Sequence, residues 1–175
     1  CSSSNHAIFE AMRLLRDGVL DLCVAGGSES ATLPLTVAAF SQMTALTKNP
    51  DPESASRPFD AKRDGFVLSE GACALIMETE EHAIGRGARI YCEVAGAGAS
   101  DDAFHITAPD PKGSGAALAM RLALADAGAG GSDVTYINAH GTSTPLNDSS
   151  ESAAITAVLG DHARTVAVSS TKSMT

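Results

Sequence analysis

The stretch Asn138-Ala139-His140-Gly141-Thr142-Ser143-Thr144 decides how this chain is read. Ahead of it, Val134-Thr135-Tyr136-Ile137 is a β-branched and aromatic run with the composition of a buried strand. Behind it, Pro145 and Asp148 open an Ala-rich segment whose composition predicts a helix over 148–159. His140 is therefore expected where a strand ends. In an open α/β sheet ligands collect at that end, because loops there can aim side chains and free backbone groups without disturbing the core. A His in a Ser/Thr-rich loop is also compatible with an ordinary turn residue, and strand–loop–helix context alone leaves both readings open.

At the other end of the chain, Ser2, Ser3, Ser4 and Asn5 are good helix caps, and Ala7, Ile8, Ala11, Leu14 and Leu15 recur at helical spacing. Cys1 then lies at the mouth of an amphipathic helix, where unpaired N–H groups and the positive end of the dipole favour a thiolate. An incidental terminal cysteine is the plain alternative, and the Cys-Ser-Ser-Ser start also resembles a mature bacterial lipoprotein, although no tether separates it from the helix. Gly18 is expected to stop the helix, 20–24 to form a buried strand, Gly26-Gly27 to make a tight turn carrying Glu29, and 33–40 to form a short helix. Residues 48–57 read as a polar loop. Arg57, Asp60, Lys62, Arg63 and Asp64 read as a set of ion pairs clamping it.

Residues 73–77 are apolar enough for a central strand, and 78–86 for a short charged helix ended by Gly85 and Gly87. A strand is expected over 89–98. Gly96-Ala97-Gly98 is not a dinucleotide fingerprint, since the third glycine is missing. Residues 100–111 form a loop with Asp102, Phe104 and His105, 114–127 a helix apolar all round and so expected between layers, and 165–168 a buried strand that places Lys172 just past its end.

Composition narrows the class. Hydrophobic residues make up 44% of the 175 and charged residues 19%, ample for a globular core. A net charge of −9 and 4% aromatic content argue against a nucleic-acid module. There is no run of about eighteen apolar residues and no basic, apolar leader, so no membrane or secretory segment is expected and the default location is cytoplasmic. Cys1, Cys23, Cys73 and Cys92 lie far apart without metal-ligand spacing; Cys23 and Cys73 sit in apolar runs and are expected to be small buried hydrophobes.

The wording of the His140 loop, with Asp148 and Glu151 downstream, resembles the β-ketoacyl-acyl carrier protein synthases, condensing enzymes of the thiolase fold. The resemblance runs along the chain: Cys1 before a helix, Ala25-Gly26-Gly27, Ser56-Arg57-Pro58-Phe59-Asp60, Arg63-Asp64-Gly65-Phe66-Val67, Glu70-Gly71-Ala72 and Ser169-Ser170-Thr171-Lys172-Ser173-Met174-Thr175 follow in the family's order. It is nearest to the elongating type II enzymes and to ketosynthases of polyketide pathways. It implies an α/β, thiolase-like fold of duplicated halves in a layered α-β-α-β-α arrangement, incomplete here, with 1–87 the latter part of the N-terminal half and 88–175 the first part of the C-terminal half.

By this resemblance Cys1 holds the growing acyl chain as a thioester, and His140 faces the malonyl thioester and supports decarboxylation. Thr142 and Thr144 hydrogen-bond the pantetheine arm, and Lys172 and Glu151 set the electrostatics. Phe66 lies close to the nucleophile, a packed strand aromatic being the alternative; Asp102 and His105 line the substrate entrance, a solvated pair being theirs. The implied reaction is decarboxylative Claisen condensation with malonyl-acyl carrier protein in fatty-acid elongation. Substrate arrives on the carrier's phosphopantetheine, with no prosthetic group or metal; the partners are acyl carrier protein and a second copy in a homodimer, not nucleic acid or membrane.

Departures accompany the matches. In the family a Gly-His after Met174-Thr175 supplies the second catalytic His, so the chain resembles an internal fragment, inactive alone. Thr44 stands where many relatives carry an Arg that meets the carrier. Rival readings are a polyketide ketosynthase, a thiolase acting on coenzyme A thioesters, a chain-length-factor subunit, which would be expected to lack Cys1, and a non-catalytic fragment or lipoprotein. Acyl length cannot be read from these residues.

Overall fold

The helical spacing of residues 7–15 coils the first helix, α1 (Ser3–Arg16), and its inward face buries Ala11, Met12 and Leu15. Its end is set by Gly18 at φ +69°: the N–H of Gly18 donates to Leu15 O at 3.1 Å and that of Val19 to Leu14 O at 3.0 Å, which closes the last turn. The computed structural model describes residues 1–174; Thr175, the last residue of the C-terminal motif, lies outside the described residues.

α1 rests on a two-stranded antiparallel sheet of β1 (Leu22–Ser30) and β2 (Glu70–Glu78), paired from Leu22↔Glu78 to Ser30↔Glu70. Met12, Leu15, Ala25 and Met77 form the core between them, with Ile8, Phe9, Cys23 and Ala97 packed against it. Gly26-Gly27 is thus not a tight turn, and Glu29 is not in one: all three lie within β1. The glycines answer to close approach instead. A Cβ on Gly26 would meet Cys73 O and sit 2.8 Å from Ala74 Cα, and one on Gly27 would run into Ser4 of α1, so Gly27 lets the first turn of the helix settle on the strand. β2 is not a central strand within this chain. Ile76 is 59% exposed and Val24, its partner across the ladder, 64%, because α1 covers only the opposite face. Cys73, on the same face as Met77 but farther along the strand, is also exposed, not buried; Cys23 is half-buried.

Between the strands run α2 (Pro34–Gln42), a turn of helix α3 (Pro52–Ala55), and a parallel bridge, Leu46↔Phe66. α2 ends as α1 does, with Thr44 N–H on Ser41 O at 3.0 Å and Ala45 N–H on Phe40 O at 3.1 Å, but the residue in the left-handed region is Thr44, at φ +55°. A β-branched residue is strained there and Thr44 is exposed, so Thr44→Gly is expected to stabilise the protein by about 1 kcal/mol, read as a rise in the thermal midpoint.

α4 (Glu80–Gly85) follows β2, capped by Thr79 and ended at Gly87, φ +68°. The expected strand over 89–98 is not formed: the segment pairs with no strand and lies on α5 (Ser114–Asp126) instead. A Cβ on Gly96 would stand 2.5 Å from Ala123 O and one on Gly98 2.7 Å from Ala123 N, so these glycines let the extended backbone touch the helix. α5 buries only Gly115 and Ala117, and Leu118 and Leu122 are 46% and 43% exposed, so its expected place between layers is not realised within this chain. Arg16 ties the two parts of the molecule together. Its guanidinium donates to both Asp126 oxygens at 3.0 and 2.9 Å and to Ala95 O, while Asp126 also accepts Ala97 N–H at 3.0 Å. The Ala97 N–H, then Arg16, hold the Asp126 carboxyl below its ordinary pKa.

The remaining elements are β3 (Tyr136–Asn138), α6 (Pro145–Leu159) and β4 (Ala167–Ser169), with β3 and β4 parallel as a separate two-stranded sheet. Both strands, expected to be buried, are largely open: Tyr136 is 52% and Val168 39% exposed. A parallel pair needs cover on both faces, which these residues do not fully provide.

Candidate active site

β3 and β4 end side by side. The Ala139 N–H donates to Ser169 O at 2.7 Å, extending the Ile137↔Val168 register, and His140 emerges immediately beyond. α6 grips that point from behind: Glu151 accepts the His140 N–H at 2.7 Å on one oxygen and the Gly141 N–H at 2.8 Å on the other. From the β4 side the Ser170 hydroxyl donates to His140 O at 3.2 Å. Gly141, at φ +43°, has no room for a side chain, since a Cβ would lie 2.5 Å from Ser170 Cβ. Glu151 thus acts first on the backbone that carries the imidazole.

A second set of contacts ties this loop to residues 57–65 of the first part. Asp148, 1% exposed, accepts the Phe59 N–H at 2.8 Å and lies 3.4 Å from Arg63 Nε, while Asn147 Nδ2 donates to its other oxygen at 3.1 Å. Arg63 also donates to Thr144 O and Pro145 O. Ser143, fully buried at φ +67°, accepts the Arg57 N–H on its hydroxyl and the Gly65 N–H on its carbonyl, each at 3.0 Å. The five charged residues expected to pair with one another do not do so within 4 Å among the described residues. They bind backbone and Asp148, because backbone carbonyls and a buried carboxylate lie closer than the opposite charges of the cluster. Sequence reasoning did not single out Asp148 or Ser143 as the pins of the site; Asp148 at the fourth position of α6 was the available signal.

His140 is half-buried, and burial pulls its pKa below the ordinary 6.5. The positive charge of Lys172 pulls the same way and Glu151 opposes it. His140 from the end of β3 and Lys172 from the turn Thr171–Ser173 are thereby brought within electrostatic reach of each other, and Cys1 stands at the mouth of α1. Cys1 and Lys172 are exposed. The imidazole is neutral at pH 7, able to donate from one nitrogen and accept at the other. A histidine with a lowered pKa takes up protons more readily when unfolded, so its contribution to stability is present above pH 6.5 and lost as pH falls below it. In a ¹³C-labelled NMR titration the His140 midpoint is expected below 6.5, moving upward in a Lys172→Met protein; an unchanged midpoint would contradict the proximity of the two groups.

The other expected site residues are distributed unevenly. Thr142 and Thr144 hydrogen-bond each other at 2.8 Å, and Thr144 caps α6 through the Asn147 N–H. Phe66 packs edge-to-face on Phe40 with centroids 5.3 Å apart, one residue from the Gly65 contact to the His140 loop. Asp102 and His105 lie on a separate loop: Asp102 accepts the Asp110 N–H at 2.9 Å, and His105 Nδ1 accepts the N–H groups of Thr107 and Ala108. Among the described residues no group of three His, Cys, Asp or Glu is placed to hold a metal ion, and no helix is long and apolar enough to cross a membrane.

Residues 1–83 match the model of the β-ketoacyl synthase N-terminal domain and residues 91–175 that of the C-terminal domain. The chain belongs to the β-ketoacyl synthase family. It is similar to the 3-oxoacyl-[acyl-carrier-protein] synthase 2 of Synechocystis sp., 51% identical over all of this chain and 42% of the relative, and to that of Vibrio cholerae, 50% identical over all of this chain and 43% of the relative. The chain therefore spans less than half the length of the curated relatives it matches. Among solved structures it superposes with TM-score 0.97 and 41% identity on 43% of a chain in a complex of a type II PKS acyl-carrier protein with its ketosynthase bound to the hexaketide. A β-ketoacyl synthase from Burkholderia phymatum is matched with TM-score 0.83 at 42% identity, covering 91% of this chain and 39% of that one. The fold is that of the thiolase-fold ketosynthases.

Proposed function

We propose that these residues carry the nucleophile and one imidazole of an elongating ketosynthase, acting in fatty-acid synthesis. The observation that supports this most directly is the half-buried, neutral His140 at the end of β3, its backbone held by Glu151 and Lys172 within electrostatic reach. In the proposed cycle the Cys1 thiolate attacks an acyl thioester on the carrier and the carrier thiol leaves. Malonyl thioester then loses carbon dioxide. The resulting enolate carbon attacks the acyl-Cys1 carbonyl, and the Cys1 thiolate departs. His140, as a neutral donor, stabilises the enolate oxygen, an interaction worth most in a water-poor site. Lys172 keeps the imidazole unprotonated and Glu151 holds its backbone. Thr142 and Thr144 turn their hydroxyls to the pantetheine arm, Phe66 lies beside the acyl thioester, and Asp102 and His105 border the entrance.

The fatty-acid pathway is favoured by the identity of 47–51% to relatives named 3-oxoacyl-[acyl-carrier-protein] synthase 2, against 41% to the solved polyketide assembly. Acyl carrier protein as partner, a homodimer, a cytoplasmic location, the absence of a prosthetic group and a junction of halves at 87/88 belong to the same proposal. The open faces of Val24, Ile76 and Leu118 support a further part of it, that the 175 residues alone do not condense, since the rest of the protein or a second copy must cover them. His140→Ala in the full-length protein tests the reading: acyl transfer to Cys1 is expected to persist and condensation with malonyl-acyl carrier protein to be lost. Normal condensation without His140 would overturn it.

A further inference from the structure

Residues 57–60 form a turn closed by the Asp60 N–H on Arg57 O at 3.2 Å, with Pro58 second and Phe59 third. Phe59 has φ +65°. This is the pattern of a type II turn, whose third position calls for glycine because its φ is positive; a large aromatic there is an outlier that the surroundings must hold in place. Two observations show what holds it and where it points. The Phe59 N–H donates to the buried Asp148 carboxylate at 2.8 Å, and the ring edge stands 3.2 Å from the position a Cβ on Gly141 would take, so the ring lies against the residue that follows His140. Crowding the same Cβ position is Ser170, whose hydroxyl binds His140 O.

We propose that Phe59 is a positioning residue for His140: its strained turn presses the ring onto Gly141 beside Ser170, so that these two side chains together clamp the His140 loop. The first part of the molecule, which carries Cys1, thereby sets the direction of the imidazole supplied by the second part. Glu151 and Ser170 fix His140 from its own part of the chain, and neither relates it to α1. Strain of this kind persists at sites where geometry must be preorganised. The ring also excludes water on that side, in keeping with burial as the leading cause of the low His140 pKa. Glycine would satisfy the turn with no strain, so backbone geometry alone does not account for Phe59.

This inference rests on the ketosynthase reading, and the test separates the two. In the full-length protein, Phe59→Gly relieves the turn and removes the ring. Condensation kcat is expected to fall about tenfold or more with KM for malonyl-acyl carrier protein changed little, acyl transfer to Cys1 is expected to persist, and the His140 NMR midpoint is expected to rise toward 6.5. Phe59→Tyr, which keeps the ring, is expected to restore both kcat and the midpoint, and serves if the glycine variant folds poorly. If Phe59→Gly leaves kcat and the midpoint at wild-type values while His140→Ala abolishes condensation, the inference fails and the ketosynthase reading stands. If His140→Ala itself condenses normally, the reading fails and takes the inference with it. A Tyr variant as impaired as the Gly variant would also overturn the clamp.

Discussion

Replacing Cys1 by Ser in the full-length protein is expected to lower condensation by ~10³-fold or more and to abolish stable acylation of the enzyme. The hydroxyl is a far weaker nucleophile than a thiol at neutral pH. The expected loss is large because the acyl group then has no place to wait while malonate decarboxylates. Steady-state assay with acyl- and malonyl-carrier substrates reads the rate, and intact-protein mass spectrometry reads the adduct. The cysteine also separates this reading from that of a chain-length-factor subunit. Undiminished turnover in Cys1→Ser would remove the thiol from the mechanism.

The largest effect on stability is expected at Asp148. Its carboxylate is buried, accepts the Phe59 N–H and neutralises Arg63, so Asp148→Ala leaves a guanidinium without its counter-charge and a backbone donor without its acceptor. Breaking such a pair costs roughly 3–5 kcal/mol; Arg63 keeps 18% of its side chain in water and its bonds to Thr144 O and Pro145 O, which favours the lower end. Asp148→Asn, which still offers an oxygen to Phe59, is expected to cost less. Differential scanning calorimetry of the two variants checks the order. A thermal midpoint for Asp148→Ala no lower than that of a surface variant would mean that the 57–65 loop and the His140 loop are not joined there.

What the sequence showed and what it hid divide along physical lines. The helix over 3–16 and the strand-to-loop step at His140 were legible because apolar periodicity and capping residues are local. Gly26-Gly27 misled because a glycine pair marks a turn as readily as a strand that another backbone must approach, and only the partner, Ser4 of α1, distinguishes the two. The strand expected at 89–98 has the right composition, but strands exist only through ladder partners, and this segment meets α5 instead. Burial was overestimated at Cys73, Val168 and along α5, where apolar content implies cover that these residues do not themselves provide. Within the site, Cys1, His140, Lys172 and Glu151 were marked by motif. Asp148, Ser143 and Phe59 stand in the same motifs, but their roles as pins were not legible, because those roles arise from contacts across more than eighty residues of chain.

Mapping the site of acylation tests the account most directly. The full-length protein would be incubated with acyl-carrier substrate, digested under conditions that preserve thioesters, and its peptides sequenced by tandem mass spectrometry. The account predicts one acyl group, carried on Cys1, in both the wild-type and the His140→Ala protein. An acyl group on Cys23, Cys73 or Cys92, or one that forms only when His140 is present, would contradict it.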